Sequence, residues 1–375
     1  MKVLLDGLQI GNRSGTGAYA HALAREIPDL ADQIDMTVVV TEDGKNALEP
    51  SRNRHLEITK NVGRGRQFNK HAATYLKTIK RDEPQIVHFP ATFAMLRKPI
   101  SRPETIVILT IHDLAFLRNP KWFRLERARY YRSKIRQSIR VAHQLIADSE
   151  ATAADMIELL GIERNKIHVV PLGVPADLAR TEENAHRSAQ KKYSLPEKYF
   201  LYLGTIEPRK NIESIINAYS HIADKTDWDL VIAGRDGWKT KSIYRAAKKS
   251  PVRDRIHFPG FVDSNDMPAI LSGAEVFVWP SLMEGFGLPP LEAMACGTPV
   301  LTSNLSSLPE VVGDAAVKVD PYSISDISKY MLMLYEDESL RKRLIASGLN
   351  RARLFHWQQC AQKTYSVYQQ ILRDA

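Results

Sequence analysis

The sequence predicts an α/β protein built from two doubly wound, Rossmann-like parallel-sheet domains in tandem. Short apolar runs of strand length, bounded by turn residues, alternate with segments of helical periodicity. The alternation breaks at a polar stretch, ARTEENAHRSAQKKYSLPEK, and then starts again. The chain's 375 residues also exceed what one ordinary core holds, at roughly 100–200 residues per domain.

Taken in order, KVLLDGLQI, MTVVVT, QIVHFP, TIVILTIHD and HQLIADS read as buried strands, with helical patterns at AYAHALAREI and across 122–140. Strands apolar on both faces belong to a parallel sheet covered by helices on each side. IHVVPLGV precedes the polar crossover, after which YFLYLGTI, WDLVIAG, IHFPGF, AEVFVWPS and TPVLTSN repeat the pattern, with helices such as NIESIINAYSHIA between them. The expected domains are 1–175 and 176–355, facing a cleft between the carboxyl ends of their strands, where ligands of such sheets bind. In the remainder, 356–375, Trp357, Ala361, Tyr365, Tyr368 and Leu372 recur at helical spacing, so this amphipathic helix must dock on something.

Composition, at 44% hydrophobic and 25% charged, is that of a soluble globular protein. Cys296 and Cys360 lie far apart without metal-ligand spacing, which argues against a disulfide framework or a zinc site and for a reducing compartment. The opening MKVLLDGLQI reads as a strand, its apolar run broken at Asp6, and not as a signal peptide. No apolar run nears the roughly 18 residues of a membrane span, so a cytoplasmic protein is expected. The net charge of +9 is concentrated in 118–140, with nine basic residues and one acid. No nucleic-acid-binding signature accompanies it, so no nucleic-acid partner is expected. Within this segment Leu125, Ala128, Tyr131, Ile135 and Ile139 form a stripe that packs on the first sheet, and the arginines project around it. One reading is a solvated basic face. The other, with Trp122 and Phe123, is peripheral contact with an anionic membrane or with the pyrophosphate of a lipid-linked acceptor.

SLMEGFGLPPLEAMACGTPVLTSN, 281–304, carries the most specific chemistry. Pro289 and Pro290 suit the first turn of a short helix and Gly297 its C-terminal cap, so Glu284 is expected in the loop and Glu292 in the first helical turn. Gly285 and Gly287 let backbone approach a ligand, and the helix terminus suits a phosphate. The blander alternative is that Glu292 caps its own helix and Glu284 is a solvated loop residue that adds little to the core. In YLGTIEPRKNIESII, Arg209 and Lys210 follow a strand directly, two cations suited to a pyrophosphate unless the turn is merely exposed. His112 and Asp113 end the strand TIVILTIHD, where a histidine either donates to substrate or serves structure. Gly15-x-Gly17-x-x-Ala20, with Glu42 and Asp43 after the next strand, matches a dinucleotide fingerprint and supports an NAD-dependent oxidoreductase as the rival. Gly15 comes too many residues after the strand for that rival, but its loop still opens a helix. Asp227-Trp-Asp229 resembles a metal-binding acid pair, yet lies at the wrong strand end.

Together the glycine loop after the first strand, the strand-end His112-Asp113, Arg209-Lys210 and the run EGFGLPPLEAMACGTPV from Glu284 to Val300 resemble the family-4 retaining glycosyltransferases of the GT-B fold. The resemblance covers nearly the whole chain. It implies a hexose moved from a nucleoside-diphosphate sugar, UDP-glucose or GDP-mannose in type, to a polysaccharide or lipid-linked oligosaccharide, with no metal and no cofactor. It implies that Arg209 and Lys210 neutralise the donor diphosphate, Glu292 binds the ribose and Glu284 the transferred sugar. The amides of Phe286, Gly287 and Leu288 would complete the donor cradle, Gly15, Thr16 and Gly17 would close on the diphosphate, and His112 would contact the sugar, with Asp113 in second rank. The base would meet backbone near Phe261 and Val262, and the last helix would pack back on the first domain. The chain departs from its relatives at Ser14-Gly15-Thr16-Gly17, which lacks their adjacent glycine pair. A non-catalytic nucleotide-sugar binding protein is the remaining alternative.

Overall fold

The computed structural model describes residues 1–12, 14–59 and 67–374, with the backbone alone at 67–70; Arg13 of the glycine loop and Ala375 of the last helix lie outside the described residues. The chain divides into two compact units, one made of Met1–Arg118, Glu126–Gly173 and His356–Ala375, the other of Asn119–Leu125 and Val174–Phe355.

The first unit holds seven parallel strands: β1 (Lys2–Asp6), β2 (Asp35–Val40), β3 (Arg54–Ile58), β4 (Ile86–Phe89), β5 (Ile106–Ile111), β6 (Gln144–Ala147) and β7 (Ile167–Val169), in the order β3-β2-β1-β4-β5-β6-β7. The second holds six: β8 (Tyr199–Leu203), β9 (Asp229–Ala233), β10 (Ile256–Gly260), β11 (Val276–Trp279), β12 (Val300–Ser303) and β13 (Val317–Val319), in the order β10-β9-β8-β11-β12-β13. Both are doubly wound α/β sheets, as the repeated alternation required. The inner strands are mostly apolar and buried, wholly so in VFVW of β11, because helices cover both faces. In each sheet the strand order reverses once, between β1 and β4 and between β8 and β11. There the loops leave the carboxyl edge in opposite directions and open a crevice.

The terminal helix Trp357–Asp374 belongs to the first unit and packs on the helix Gly15–Glu26. Its buried face carries Trp357, Ala361, Tyr365 and Tyr368 as the periodicity requires, but Ile371 is buried in place of Leu372.

The basic segment differs from its sequence reading. The helix begins at Leu125 and runs to Val141, after a single tight turn at Pro120–Trp122. Ala128 and Ile135 are buried as expected, and Tyr131 packs on Phe93 and Phe116, but Leu125 is 59% exposed. Phe123 is buried and stacks on Trp238, with ring centres 5.5 Å apart, while the Trp238 indole donates to the Trp122 carbonyl at 2.6 Å. Phe123 is thus spent within the second unit and is not available as a membrane anchor. Among the described residues no helix is long and apolar enough to cross a membrane.

Candidate functional site

In the second unit the β8–β11 switch point gathers residues 74 or 75 positions apart in sequence. Arg209 and Lys210 end the turn Pro208–Lys210 after β8; Glu284 lies in the loop after β11. Lys210 Nζ donates to Glu284 Oε1 at 2.6 Å and Arg209 donates to Oε2 at 3.1 Å. The Trp279 indole donates to Oε1 at 3.0 Å, and the Lys210 ammonium sits 4.5 Å from the Trp279 ring centre. On its other side Arg209 donates to Glu207 Oε1 at 2.9 and 3.1 Å and to the Met283 carbonyl at 2.7 Å. Asn211, in the left-handed region at φ 60°, ties this turn to the loops after β11 and β13 by donating to the carbonyls of Pro280 and Pro321.

Glu284 is 6% exposed, Lys210 8% and Glu207 2%. The arginine–lysine pair is therefore no exposed basic turn, and Glu284 is no solvated loop residue. Burial alone would push the Glu284 pKa up, but Lys210 and Arg209 outweigh it and hold the carboxyl below its ordinary value. Burial, with the like charge of Arg209, lowers that of Lys210. Glu207 and Trp279 were missed in the sequence; the readable signal was Glu207 two residues before Arg209.

The glycine loop is pinned from below. Ser306 Oγ donates to the Glu284 carbonyl at 2.6 Å, and Ser307 Oγ lies 2.5 Å from the Phe286 carbonyl. Gly287 sits at φ 121°, and a Cβ there would come within 2.9 Å of Leu308, so only glycine fits. The helix Leu288–Ala295 follows with its two prolines at the start, and the amides of Phe286, Gly287 and Leu288 have no protein acceptor among the described residues. The Phe286 side chain itself is buried against Phe355.

Glu292 is in the second helical turn, not the first. The helix starts only at Leu288, so the carboxylate is one turn removed from the free amides and caps nothing. It has no hydrogen-bond partner among the described residues, and burial pushes its pKa up to about 7. Phe261, 50% exposed, and Val262, buried, follow Gly260 at the carboxyl end of β10.

In the first unit His112 follows β5 and meets the carboxyl ends of two neighbouring strands. Its Nδ1 is 2.7 Å from Asp148 Oδ2 after β6, and its Nε2 is 3.2 Å from the Pro90 carbonyl after β4. Both ring nitrogens face acceptors, which favours the imidazolium. Burial opposes that charge, but Asp148 outweighs it and the pKa is raised. Asp148, missed in the sequence, has its Oδ1 buried without a hydrogen-bond partner among the described residues. Asp113 accepts from the Ala115 amide at 3.1 Å, closing a local turn. Gly15, Thr16 and Gly17 form the first turn of the helix Gly15–Glu26, capped by Ser14 Oγ, which accepts from the Gly17 amide at 3.2 Å. A Cβ on Gly17 would stand 2.1 Å from the Asn12 carbonyl oxygen, so this glycine is dictated by its own loop.

Asp229 pairs with Arg255 at 2.8 Å and His257 at 2.7 Å, a structural use, and among the described residues no group of three or more His, Cys, Asp or Glu is placed to hold a metal ion.

Two family models match the chain: "Glycosyltransferase Family 4" over residues 13–178 and "Glycosyl transferases group 1" over 184–351. The O-antigen chain mannosyltransferase B of Escherichia coli is 33% identical over 264 residues, covering 70% of this chain and 69% of its own length. The serotype-specific mannosyltransferase WbdA of Escherichia coli is 30% identical over 341 residues; the match spans 88% of this chain but only 41% of WbdA. Among solved structures, sucrose-phosphate synthase from Thermosynechococcus elongatus superposes over 100% of both chains with a TM-score of 0.77 at 19% identity. Anabaena HepE, in complex with UDP and glucose, covers 99% of this chain and 100% of its own with a TM-score of 0.74 at 18% identity. At these identities the structural likenesses speak to fold alone.

Two Rossmann-like parallel sheets, superposing on sucrose-phosphate synthase along the whole chain, define the GT-B architecture. The chain belongs to the family-4 glycosyltransferases. That membership displaces the oxidoreductase reading of the Gly15–Gly17 loop.

Proposed function

We propose that this protein is a retaining, metal-independent mannosyltransferase that takes mannose from GDP-mannose and adds it to a growing surface polysaccharide or lipid-linked oligosaccharide on the cytoplasmic side of the membrane. The sequence left UDP-glucose and GDP-mannose level; two relatives that are themselves named mannosyltransferases move the balance to mannose. The single observation that carries the reading is the pairing of a buried two-cation cluster with an unpartnered carboxylate across one glycine loop.

In this reading the donor diphosphate takes Arg209 and Lys210, fixed charges that stabilise the departing nucleotide where other enzymes place a metal ion. Glu284, which holds both cations now, is then free to accept from hydroxyls of the transferred sugar. The open amides at Phe286, Gly287 and Leu288 add donors toward phosphate. Glu292 accepts from ribose hydroxyls, and the base lies against Phe261 and Val262. In the first unit, His112 keeps a proton through Asp148 and turns its Nε2–H from the Pro90 carbonyl to a sugar oxygen, and the loop at Gly15, Thr16 and Gly17 offers the amides of Gly15 and Thr16 to phosphate, that of Gly17 being held by Ser14.

The test is to incubate the full chain with GDP-mannose, UDP-glucose or NADH, with and without EDTA and an oligosaccharide acceptor. The expected result is GDP release and mannosyl transfer from GDP-mannose alone, unchanged by EDTA, with the product keeping the donor's anomeric configuration by NMR. Strict dependence on added manganese, or an inverted product, would overturn the mechanism; release from UDP-glucose alone would overturn the donor.

A further inference from the structure

A second cationic site lies elsewhere in the second unit and shares no residue with the Arg209–Lys210 cluster. The loop after β9 and the start of the helix Lys241–Lys249 border an open cavity of about 560 Å³. Four cations line it: Arg124, Lys239, Lys241 and Arg245. Among the described residues no carboxylate does. Lys239 donates to the Lys121 carbonyl at 2.6 Å, whereas Arg124, Lys241 and Arg245 have no ion pair among the described residues. The neighbouring loop acid, Asp236, accepts from the Tyr244 hydroxyl at 2.6 Å and does not line the cavity.

The wall is fixed. Trp238 is stacked on Phe123 and its indole donates to the Trp122 carbonyl, which brings Arg124 to the cavity from a distant part of the sequence. Lys239 holds φ 57°, a left-handed conformation that costs a side-chain-bearing residue energy and persists where surroundings enforce it. Thr240, at the helix start, makes no capping hydrogen bond with its side chain, and the first turn carries no acid. The hydroxyls of Thr240 and Ser242 line the same cavity. All four cations are exposed, so water screens their mutual repulsion, and an anion with several acceptor oxygens is drawn by their summed charge while meeting the arginine forks.

We propose that this cavity binds a phosphate or diphosphate ester, the phosphorylated end of the acceptor. The link to the acceptor rests on the transfer reading above; the anion site itself does not. The site narrows the role of the basic segment to Arg124 and adds partners that the segment alone does not contain.

The experiment is calorimetric titration of the full chain with inorganic pyrophosphate in saturating GDP, which keeps the donor cluster filled. Wild type should bind pyrophosphate, more weakly as salt rises, and Lys241→Gln/Arg245→Gln should lose at least about tenfold in affinity while GDP affinity and melting temperature hold. Arg124→Gln, which changes a lining cation from another part of the chain, should weaken binding by itself. Displacement of pyrophosphate by phosphatidylglycerol vesicles would support the site and name bilayer headgroups as its source; displacement by a diphosphate-linked oligosaccharide but not by vesicles would support it and name the acceptor. No pyrophosphate binding by wild type, or equal affinity in wild type and the double variant, overturns the proposal. None of these readouts requires sugar transfer, so failure of the donor assignment and failure of this site are separable.

Discussion

Glu284 shows how one buried side chain sets the behaviour of a site. It accepts hydrogen bonds from Lys210, Arg209 and Trp279, so Glu284→Ala leaves two cations without their counter-charge. Removing one member of such a buried pair costs about 3–5 kcal/mol, and the variant should unfold at markedly lower denaturant as well as lose transfer. A stable but inactive Glu284→Ala would show that the carboxylate serves chemistry alone. Glu292 makes the opposite case, a carboxylate with nothing to pair with. Its pKa of about 7 lies above the ordinary 4.5, so the folded protein keeps a proton that the unfolded chain releases. This contribution to stability is complete below about pH 4.5 and is lost as pH rises through about 7, on the order of 3 kcal/mol in all. Glu292→Gln should flatten that slope in denaturant titrations. Because ribose hydroxyls would donate to the ionised form, GDP affinity of the wild type should rise across the same window, and pH-independent affinity would remove Glu292 from the ribose.

At the scale of elements, the two glycine loops carry different constraints. The loop before the helix Leu288–Ala295 needs glycine at 287 for its φ of 121° and for the space beside Leu308. The loop before the helix Gly15–Glu26 needs glycine at 17 because the backbone of Asn12 and Gln9 passes 2.1 and 2.8 Å from where a Cβ would stand. Backbone atoms cannot step aside as a flexible side chain can. Gly17→Ala should therefore destabilise the first unit by about 1–3 kcal/mol or more, read as a lower urea midpoint. An unchanged midpoint would mean that the loop relaxes freely and that the glycine was kept for a ligand.

At the scale of the whole molecule, the first unit is closed by residues from the far end of the chain. Tyr368 lies 2.5 Å from His88 Nδ1, His88 Nε2 meets Thr110, and Trp357 packs near Tyr19. Burial holds His88 neutral, with its pKa pushed down to about 3, so its nitrogens need neutral partners. Tyr368→Phe should cost about 1–3 kcal/mol through the unmet nitrogen. Truncation after Phe355 should cost far more, because it uncovers the apolar face of the helix Gly15–Glu26; circular dichroism melts of both variants test this. A truncated chain melting with wild type would show the helix to be an appendage.

The sequence by itself determined the fold class and the two sheets, because buried strands, helix starts and glycine turns are written in consecutive residues. Arg209-Lys210 and Glu284 were legible as chemistry for the same reason. Strands β3 and β13 were not, since RHLEI and VKV are short, carry charged or polar side chains and are half-exposed. The membership of Asn119–Leu125 in the second unit was equally hidden, because the Asn119-Pro120 break marks a turn but not which unit the segment packs on. Tertiary structure alone decided that Glu284 is locked between two cations while Glu292 stands unpaired, and that Asp148 holds the proton on His112. These are relations between residues dozens of positions apart, set by which loops share a sheet edge and how much water is excluded there, and both quantities exist only once the chain has folded.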